Sequence, residues 1–554
     1  MTPCELPAAS PSRGIDRRAL LKGGVLGAGL LAGPLAAGGL AEKGFTHGVA
    51  SGEPGARRVM LWTRHVGTGA TRLTFEVSDS LDFARVLAQG EAVAAPERDF
   101  CAKAWADGLK PGLWYYYRFI APDGSRSDIG RTRTLPEGPT ARWRMAVFSC
   151  SNIGFGWFNA YAHAAAADEF DCALHLGDYL YEYSPAVYPG AAQTLPGRPP
   201  LEPANELILL ADYRARYAHY RRDADLRRLH QVYPMIVVAD DHESANDAWS
   251  GGAQGHDPAS EGPWDARKSA AVQAWREWMP VSDEPWAKYQ VGDLATLFRL
   301  ETRLTGRSQQ LSYTALLNGL APEAVGPALA ALRDGAWRDP AREMLGTAQQ
   351  GWLAAGLGQS KRAGTRWQVL VQQVLMGSLA TPEDLIGALP ADAPDFVRRR
   401  FATGTAAAAA GLPFNLDSWD GYPAARERVL RAALEAGADL VSLAGDTHNA
   451  WAFDLDLGGE RVGVEFGGQS VASPGFESAM RGIPEPRLSG ALIARNPQLK
   501  WANMDRRGYM AVELTPERAS SEYRMLADPL TRGTALAGSH RVTSFAGRRR
   551  IETA

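Results

Sequence analysis

Short runs in which apolar and polar residues alternate fill the first part of the chain, from Phe45 to about Leu135. Turn-forming pairs such as Pro54-Gly55 separate these runs at even spacing. Three of the runs have the length and composition of strands: Val59–Arg64, Arg72–Val77 and Trp114–Ile120. Evenly spaced short strands of this kind predict a small β-sandwich over residues 43–137.

The pattern changes after a linker at Pro136–Arg142, where apolar runs begin to alternate with helical periodicity. The predicted elements are the strands Arg144–Ser149, Cys172–Leu176, Met235–Ala239, Trp367–Gln373 and Leu440–Ala444, and the helices Phe158–Ala167 and Ala424–Ala436. This alternation predicts a layered α/β (α+β) domain over residues 142–535, with β-sheets flanked by helices. Strand-like runs return over Arg461–Met525 and are expected to close a second sheet. The basic segment 536–554 is expected either to cover the site or to hang free as a C-terminal tail.

One aromatic stretch and two long loops add to this outline. Gly112–Phe119 resembles the strand before the last in fibronectin type III-like modules, and its aromatic side chains are expected to pack rather than to bind a ligand. The Pro- and Gly-rich loops around Pro185–Pro203 and Ser250–Pro263 are too long for simple connections. We expect them to shape or cover a functional site.

The first 41 residues have the layout of a twin-arginine signal peptide. Arg17 and Arg18 precede an uncharged, Gly- and Ala-rich run from Gly23 to Leu40. A permanent membrane anchor is the alternative, but eight Gly or Pro residues in the run disfavour stable insertion. We therefore expect export of the folded protein by the twin-arginine translocase, and a periplasmic or secreted location.

Composition and charge exclude several classes of protein. Hydrophobic residues make up 45% of the chain and charged residues 22%, as in ordinary globular proteins. The net charge of −3 argues against specific nucleic-acid binding, and no segment after the signal has the length of a permanent membrane span. Four cysteines do not suggest a disulfide scaffold. Cys101 and Cys172 could pair, and the alternative is two buried free thiols.

Residues able to bind metals recur directly after predicted strands. They are Cys150, the pair Asp178 and Tyr181, the group Asp240-Asp241-His242-Glu243, and the pair Asp446 and His448. Because strand ends form the ligand crevice of open α/β sheets, we expect these groups on one rim. Each alone has an ordinary explanation, such as a turn aspartate, a buried thiol, a loop histidine or a solvated acidic loop. Four such groups in one domain together predict a metal site.

The residue types suggest two different metals. A two-metal hydrolase needs a carboxylate that bridges the cations, and Asp178 is the natural candidate. A thiolate from Cys150 and a phenolate from Tyr181 favour a trivalent or soft metal such as iron. The oxygen ligands instead suit a harder cation such as calcium, and they are Asp241, Asn246 and Asp446. The mixed set therefore predicts an unequal metal pair, with other divalent metals as alternatives.

Eight motifs are spread over nearly the whole chain after the signal: Phe45–Pro54, Ser149-Cys150, Gly177–Glu182, Asp240–Asn246, Trp419–Pro423, Gly445–His448, Asn496–Lys500 and Arg507–Tyr509. With these motifs the sequence resembles the alkaline phosphatase D (PhoD-like) family of calcineurin-like metallophosphatases. That family also includes secreted phospholipase D-type phosphodiesterases. The resemblance implies a centre with one iron (Fe3+) and one or two calcium ions (Ca2+).

The resemblance also assigns roles to single residues. The implied iron ligands are Cys150, Asp178, Tyr181 and His448. The implied calcium ligands are Asp178, Asn246 and Asp446. Asp241 stands where related metallophosphatases have an asparagine ligand, and His242 matches their substrate-facing histidine. His242 is therefore expected to stabilise the phosphoryl oxygens or to protonate the leaving group.

The sequence departs from the family pattern near the expected substrate pocket. Glu301 stands where an aspartate is expected, and Asp247-Ala248-Trp249 lacks a second asparagine. Arg303, close to Glu301 in the sequence, is expected either to help hold phosphate or to form a structural salt bridge.

These features predict an exported, metal-dependent alkaline phosphatase and phosphodiesterase that hydrolyses small-molecule or lipid phosphate mono- and diesters. A metal-bound hydroxide is expected to attack phosphorus in line, without a covalent phospho-enzyme. The expected catalytic residues are His242, Asp178 and Arg303. Two alternatives stay open, a phospholipase D-type phosphodiesterase acting on lipid head groups and a non-catalytic exported binding protein with a degenerate site.

Overall fold

The computed structural model describes residues 43–185, 187–389, 395–480 and 482–553. The predicted signal peptide, residues 1–41, lies outside the described residues, so export by the twin-arginine pathway stays a prediction. Within the described ranges, no helix is long and apolar enough to cross a membrane.

The strands in the described residues are β1 (Gly44–Gly52), β2 (Arg58–Val66), β3 (Thr71–Ser78), β4 (Val86–Ala94), β5 (Cys101–Asp107), β6 (Trp114–Ile120), β7 (Gly130–Arg133), β8 (Trp143–Phe148), β9 (Cys172–His175), β10 (Pro234–Val237), β11 (Ala248–Trp249), β12 (Gly252–Ala253), β13 (Ala287–Val291), β14 (Ala295–Arg299), β15 (Trp367–Val371), β16 (Leu440–Ala444), β17 (Ala450–Leu457), β18 (Glu460–Gly467), β19 (Leu499–Asn503), β20 (Gly508–Leu514), β21 (Arg518–Leu526), β22 (Leu536–Phe545) and β23 (Glu552–Thr553). The helices are α1 (Asn159–Ala167), α2 (Leu210–Arg221), α3 (Ala224–Val232), α4 (Pro258–Glu261), α5 (Trp264–Trp278), α6 (Tyr313–Leu317), α7 (Pro322–Asp334), α8 (Gly346–Arg362), α9 (Asp395–Ala409), α10 (Pro423–Glu435), α11 (Phe476–Ala479) and α12 (Glu485–Arg495).

Two large mixed sheets form the centre of the molecule. One has ten strands in the order β23-β22-β21-β20-β8-β9-β10-β1-β2-β5, and the other has seven in the order β13-β14-β15-β16-β18-β17-β19. Strands β8, β9 and β10 run parallel, as do β14, β15, β16 and β18. β15 and β16 are buried at every position, which explains why most of their residues are apolar, because both faces of a parallel sheet are covered.

The two sheets pack face to face, and helices cover their outer faces. Val147 and Leu174 of the larger sheet lie in one core with Val369 and Leu443 of the smaller sheet. Helices α1, α2, α3 and α5 pack on the outside of the larger sheet, and α8, α10 and α12 on the outside of the smaller one. The predicted layered α/β domain is therefore confirmed, and its seven predicted elements lie within two residues of their expected bounds.

The predicted N-terminal β-sandwich is present, but it shares a sheet with the catalytic part. Its separate sheet has the order β4-β3-β6-β7, while β1, β2 and β5 belong to the ten-stranded sheet. The junction is a parallel pairing of β1 with β10, in which Ser51 lies opposite Pro234. Leu61, Phe75 and Tyr117 fill the space between the sandwich sheets, so the aromatic stripe of β6 packs as expected.

Several expectations for the rest of the chain need correction or resolution. The strands over Arg461–Met525 do not close one sheet, because β18 and β19 lie in the seven-stranded sheet and β20 and β21 in the ten-stranded one. The segment expected as a cover or tail instead forms β22 and β23, which extend the ten-stranded sheet and bury Val542. Cys101 and Cys172 are buried free thiols in different cores, so they do not pair.

Candidate metal centre

The predicted ligands lie directly after the carboxyl ends of β8, β9, β10 and β16. Two of them, Asp178 and Asp446, follow glycines, and the structure explains why. A Cβ atom on Gly177 would lie 2.3 Å from the Cβ of Asp240, and one on Gly445 would lie 2.6 Å from the Cβ of Ser149. Glycine at both positions therefore lets the loop after β9 approach the loop after β10, and the loop after β16 approach the loop after β8 of the other sheet.

Four of the predicted ligands have a left-handed backbone, with φ of 58° at Cys150, 53° at Asp178, 65° at Asp446 and 65° at His448. For a residue other than glycine this conformation costs of order 1 kcal/mol or more and is concentrated at functional sites. The surrounding loops therefore hold these residues in a conformation that their own backbone preference disfavours.

The described residues contain three groups of possible metal ligands, and within each group the ligand atoms lie within 4.8 Å of one another. They are Cys150, Asp178 and His448; Asp178, Asp241 and His242; and Asp240, Asp241 and Asp446. Asp178 and Asp241 each belong to two of these groups. A carboxylate shared between adjacent groups is the arrangement that a pair of neighbouring cations requires.

Tyr181 and His448 are oriented by a loop that no sequence motif had indicated. The Tyr181 hydroxyl lies 3.1 Å from both Asp178 Oδ2 and His448 Nε2. Ser473 donates a hydrogen bond to the Tyr181 oxygen at 2.8 Å, and His448 Nδ1 donates to the carbonyl of Pro474 at 2.7 Å. The bond at Nδ1 turns Nε2 of His448 towards Tyr181 and Asp178, as in metal sites where the second ring nitrogen is held by a carbonyl.

Two buried glutamates hold the loops that carry the ligands. Glu243 accepts hydrogen bonds from the backbone N–H groups of Asp178 at 3.1 Å and Asp240 at 2.7 Å. Glu182 accepts from His242 Nδ1 and from the backbone N–H of Asn246, both at 2.7 Å. Each glutamate thus ties the loop after β9 to the loop after β10.

The oxygen-rich side of the site contains acceptors without a hydrogen-bond donor. Asn246 donates its amide to Gln254 Oε1 at 2.8 Å, while its own Oδ1 is buried and accepts no hydrogen bond from the described residues. The same holds for Asp178 Oδ1 and Asp240 Oδ2. Buried oxygens without donors are unfavourable unless they face a cation, so this side fits calcium or a similar hard ion.

Burial changes the protonation of the ligands. It raises the pKa of Cys150, Asp178 and Tyr181 well above the usual values. The negative charge of Asp178 further raises the pKa of Cys150 and Tyr181. Burial lowers the pKa of His448 to about 3, which keeps the imidazole neutral, the form that coordinates metals. A cation would supply the positive charge that these clustered acidic groups need to ionise.

The pKa of His242 is shifted upwards, in the opposite direction to that of His448. Burial by itself lowers its pKa, but the carboxylates of Glu182, Asp241 and Asp178 outweigh burial and raise the pKa well above its usual value. Asp241 also departs from its neighbours, because Arg303 and His242 overcome the effect of burial and lower its pKa.

Arg303 lies at the centre of a buried network of ion pairs. Its side chain is fully buried and bonds to Asp240, to Asp417 at 2.8 Å and to Asp446 at 3.2 Å. Arg307 also binds Asp417. Of the two roles expected for Arg303, these contacts match the structural salt bridge.

Known protein families match both parts of the chain. Residues 145–523 match the PhoD-like phosphatase family, and residues 34–136 match the PhoD-like phosphatase N-terminal domain. The chain belongs to the PhoD-like phosphatase family. Alkaline phosphatase D of Bacillus subtilis strain 168 is 32% identical over 519 residues, which cover 89% of this chain and 79% of that relative. A solved structure of PhoD has a TM-score of 0.74, 28% identity and 93% coverage of both chains.

Membership of the PhoD-like family confirms the resemblance and shows that the protein is a phosphoric ester hydrolase. It thereby decides against the non-catalytic binding protein. The metal-binding groups lie inside the matched region 145–523.

Sequence reasoning missed Asp417 and Ser473, which support the site from distant parts of the chain. Asp417 is two residues before the Trp419–Pro423 motif, and that proximity was the only sequence signal for it. Glu182 and Glu243 were visible inside recognised motifs, but their roles as acceptors for the loops were not predicted.

Proposed function

We propose that this PhoD-like phosphatase is an exported enzyme that uses iron and calcium to hydrolyse phosphate monoesters and diesters. The observation that carries this proposal is the set of three overlapping groups of buried ligand atoms, each within 4.8 Å, at the ends of the parallel strands. Buried oxygens without hydrogen-bond donors in the same place support the presence of cations.

The donor atoms divide between the two metals by chemistry. The proposed iron ligands are the thiolate, phenolate, imidazole and carboxylate of Cys150, Tyr181, His448 and Asp178. The proposed calcium ligands are the oxygens of Asp178, Asn246 and Asp446, with Asp241 next to them. Asp178 would contribute to both metals, since one of its oxygens accepts a hydrogen bond from Tyr181 and the other has no donor among the described residues.

Bound cations would supply a water molecule of lowered pKa as the nucleophile, and positive charge opposite the phosphoryl oxygens. The protein's own contribution centres on His242. Glu182 holds its Nδ1 at 2.7 Å, which leaves Nε2 for the substrate. We propose that Nε2–H binds a phosphoryl oxygen or gives its proton to the departing alcohol oxygen as the phosphorus–oxygen bond breaks.

Arg303 is assigned a positioning role in this proposal. Its guanidinium is fully buried and is bonded to carboxylates, so it orients Asp240, Asp417 and Asp446. A direct phosphate contact would require these bonds to rearrange.

The test is elemental analysis of the purified protein, together with hydrolysis of an aryl monoester and an aryl diester before and after chelation. We expect iron and calcium to be present, activity to be lost on chelation, and activity to return when both ions are restored. Cys150→Ser should lose iron, whereas Cys101→Ser, which also changes a buried free thiol, should retain it. Activity that survives complete removal of metal would refute metal dependence.

Substrate class and export need separate measurements. A strong preference for phosphodiester lipids over aryl esters would select the phospholipase D-type alternative. Replacing Arg17 and Arg18 by lysine should keep the full-length protein in the cytoplasm if the twin-arginine pathway exports it. Unchanged export of that variant would contradict the proposed route.

A further inference from the structure

Two tyrosines after the ligand loop extend the site beyond the metal-binding groups. The ring of Tyr183 lies 5.5 Å from the ring of His242, and the ring of Tyr188 lies 5.8 Å from that of Tyr181. The two tyrosines are themselves 5.5 Å apart, with their ring planes at 70°. Together Tyr183 and Tyr188 form an aromatic wall beside the residue that we propose contacts the phosphoryl group.

This aromatic wall differs from the tyrosines that only fill the core. The hydroxyls of Tyr161 and Tyr179 are buried and bond to His175 and His230 at 2.8 and 2.9 Å. The rings of Tyr183 and Tyr188 are instead half-buried, and among the described residues neither hydroxyl has a hydrogen-bond partner. A half-buried tyrosine presents part of its apolar ring to whatever binds beside it, so these two rings retain surface for a ligand.

Tyr183 is supported by helix α2, and Tyr188 by the loop after β8. Arg216 is fully buried on α2 and donates hydrogen bonds to the carbonyls of Tyr181, Tyr183, Glu202 and Pro203. The other end of the wall rests against the loop after β8.

At that end Phe155 contacts the Tyr188 ring edge-on at 4.7 Å. A Cβ atom on Gly154 would lie 2.6 Å from the ring of Pro189, so glycine allows the two loops to meet. Hydrogen bonds and packing therefore support the wall at both ends, and such support helps to position side chains for selective recognition of a ligand.

We propose that Tyr183 and Tyr188 bind the organic part of the phosphate ester and favour esters whose organic group carries a flat aromatic ring. This inference rests on the proposed function, because it places the phosphoryl group next to His242. A ring bound there meets the faces or edges of two aromatic side chains, and offset or edge-on aromatic contacts are favourable beyond simple burial. A saturated chain of similar size lacks that contribution.

The test compares phenyl phosphate with propyl phosphate for the wild-type enzyme, Tyr183→Leu, Tyr183→Phe and Tyr188→Leu. We expect Tyr183→Leu and Tyr188→Leu to lower the ratio of kcat/KM for the phenyl ester over the propyl ester about five- to tenfold. Tyr183→Phe keeps the ring and should keep the ratio. Comparing ratios removes the greater intrinsic reactivity of the aryl ester. A ratio that both leucine variants leave unchanged would overturn the proposal.

A second measurement separates this proposal from the proposed function. Calorimetry gives the affinity of the metal-loaded protein for phenylphosphonate and propylphosphonate, neither of which is hydrolysed. Suppose that the wild type hydrolyses neither ester but binds phenylphosphonate more tightly than propylphosphonate, and that the leucine variants lose this preference. The proposed function would then be wrong, while the proposed binding role of Tyr183 and Tyr188 would be supported. Equal affinities for the two phosphonates in the wild type would reject the wall, whether or not the esters are hydrolysed.

Tyr116→Leu is the matched control, because Tyr116 is also a half-buried tyrosine but lies on β6 in the N-terminal sandwich. It should change neither the ratio nor the affinities. Circular dichroism and thermal unfolding of each variant show whether it is folded. If Tyr183→Leu does not fold, the ratio and the affinities measured for Tyr188→Leu decide whether the proposal holds.

Discussion

At the scale of single residues, the proposed site depends on the side chains that hold the predicted ligands as much as on those ligands. Glu182 joins His242 to the backbone of Asn246, and Glu243 joins the loops after β9 and β10. These carboxylates are buried, so their bonds are strong and costly to lose. The predictions at this scale therefore concern the supporting residues.

Glu182→Gln should lower kcat about ten- to a hundredfold with a smaller effect on KM, because a partner of this kind orients a site histidine. The amide of glutamine cannot accept from both His242 Nδ1 and the Asn246 N–H as the carboxylate does. Steady-state kinetics on an aryl monoester measure the effect, and Glu202→Gln, whose side chain is 58% exposed, is the control. An unchanged kcat in Glu182→Gln would refute the role assigned to the pair.

At the scale of elements, one buried arginine fixes a whole loop. Arg216 on α2 bonds to carbonyls at both ends of the loop that runs from Tyr183 to Pro203. The loop was expected to shape the site because of its length and composition, but its attachment to α2 could not be foreseen. Recognition of Arg216 required the fold, because the partners lie up to 35 residues away in the chain.

Arg216→Met should lower stability by about 3 kcal/mol and make the loop between Tyr183 and Pro203 more sensitive to protease, since several buried carbonyls lose their donors. Thermal unfolding and limited proteolysis followed by mass spectrometry measure both effects. Arg222→Met changes a neighbouring arginine whose side chain is 49% exposed and pairs with Glu202, so it should have little effect. Equal cleavage of the two variants would contradict the predicted role of Arg216.

Glu465 on β18 provides a pH-dependent prediction. It accepts hydrogen bonds from the backbone N–H of Met376 at 2.8 Å and from Ser442 at 2.9 Å, and burial raises its pKa to about 7. A carboxyl whose pKa is raised in the folded state contributes stability below its unfolded pKa, and that contribution is lost as pH rises through about 7.

Glu465→Gln has no such titration. The difference in stability between wild type and variant should therefore shift against the wild type by roughly 3 kcal/mol between pH 4 and pH 8. Thermal unfolding of both proteins at several pH values tests the sign. A difference that does not change with pH would show that Glu465 keeps an ordinary pKa.

At the scale of the whole molecule, the N-terminal sandwich and the phosphatase part share one sheet. β1 pairs with β10, and Trp62 of β2 lies in the same core as Trp278 of α5. At the other edge of that sheet, β22 covers β21, which would otherwise be an exposed strand edge. The ten-stranded sheet therefore runs through both parts, so they are not two modules joined only by a linker.

A protein starting at residue 142 should not give soluble, folded enzyme, because it leaves β10 as an unpaired edge and removes Trp62 from the core. Expression, gel filtration and proteolysis of residues 142–554 test this against residues 43–554 as the control. Soluble, metal-containing and active protein from the shorter chain would show that the shared sheet is not required for folding.

The sequence by itself determined the class of fold and the main strands and helices, and it pointed to the candidate metal ligands. Those features are local: periodicities of two and 3.6 residues identify the elements, and ligands that follow strands identify the rim. The family motifs added the reaction class through a resemblance that comparison with known proteins then confirmed.

Tertiary structure alone decided which distant residues meet. The bond from Ser473 to Tyr181 spans 292 positions and the bond from Arg303 to Asp417 spans 114, so neither leaves a local pattern. The pairing of β1 with β10 and the addition of β22 to the sheet depend on the same kind of contact. Strand pairing and buried ion pairs are set by how the whole chain packs. For that reason the contact of Ser473 and the pairing of the C-terminal strand emerged only from the fold, as did the partners of Arg303, for which the sequence had left two roles open.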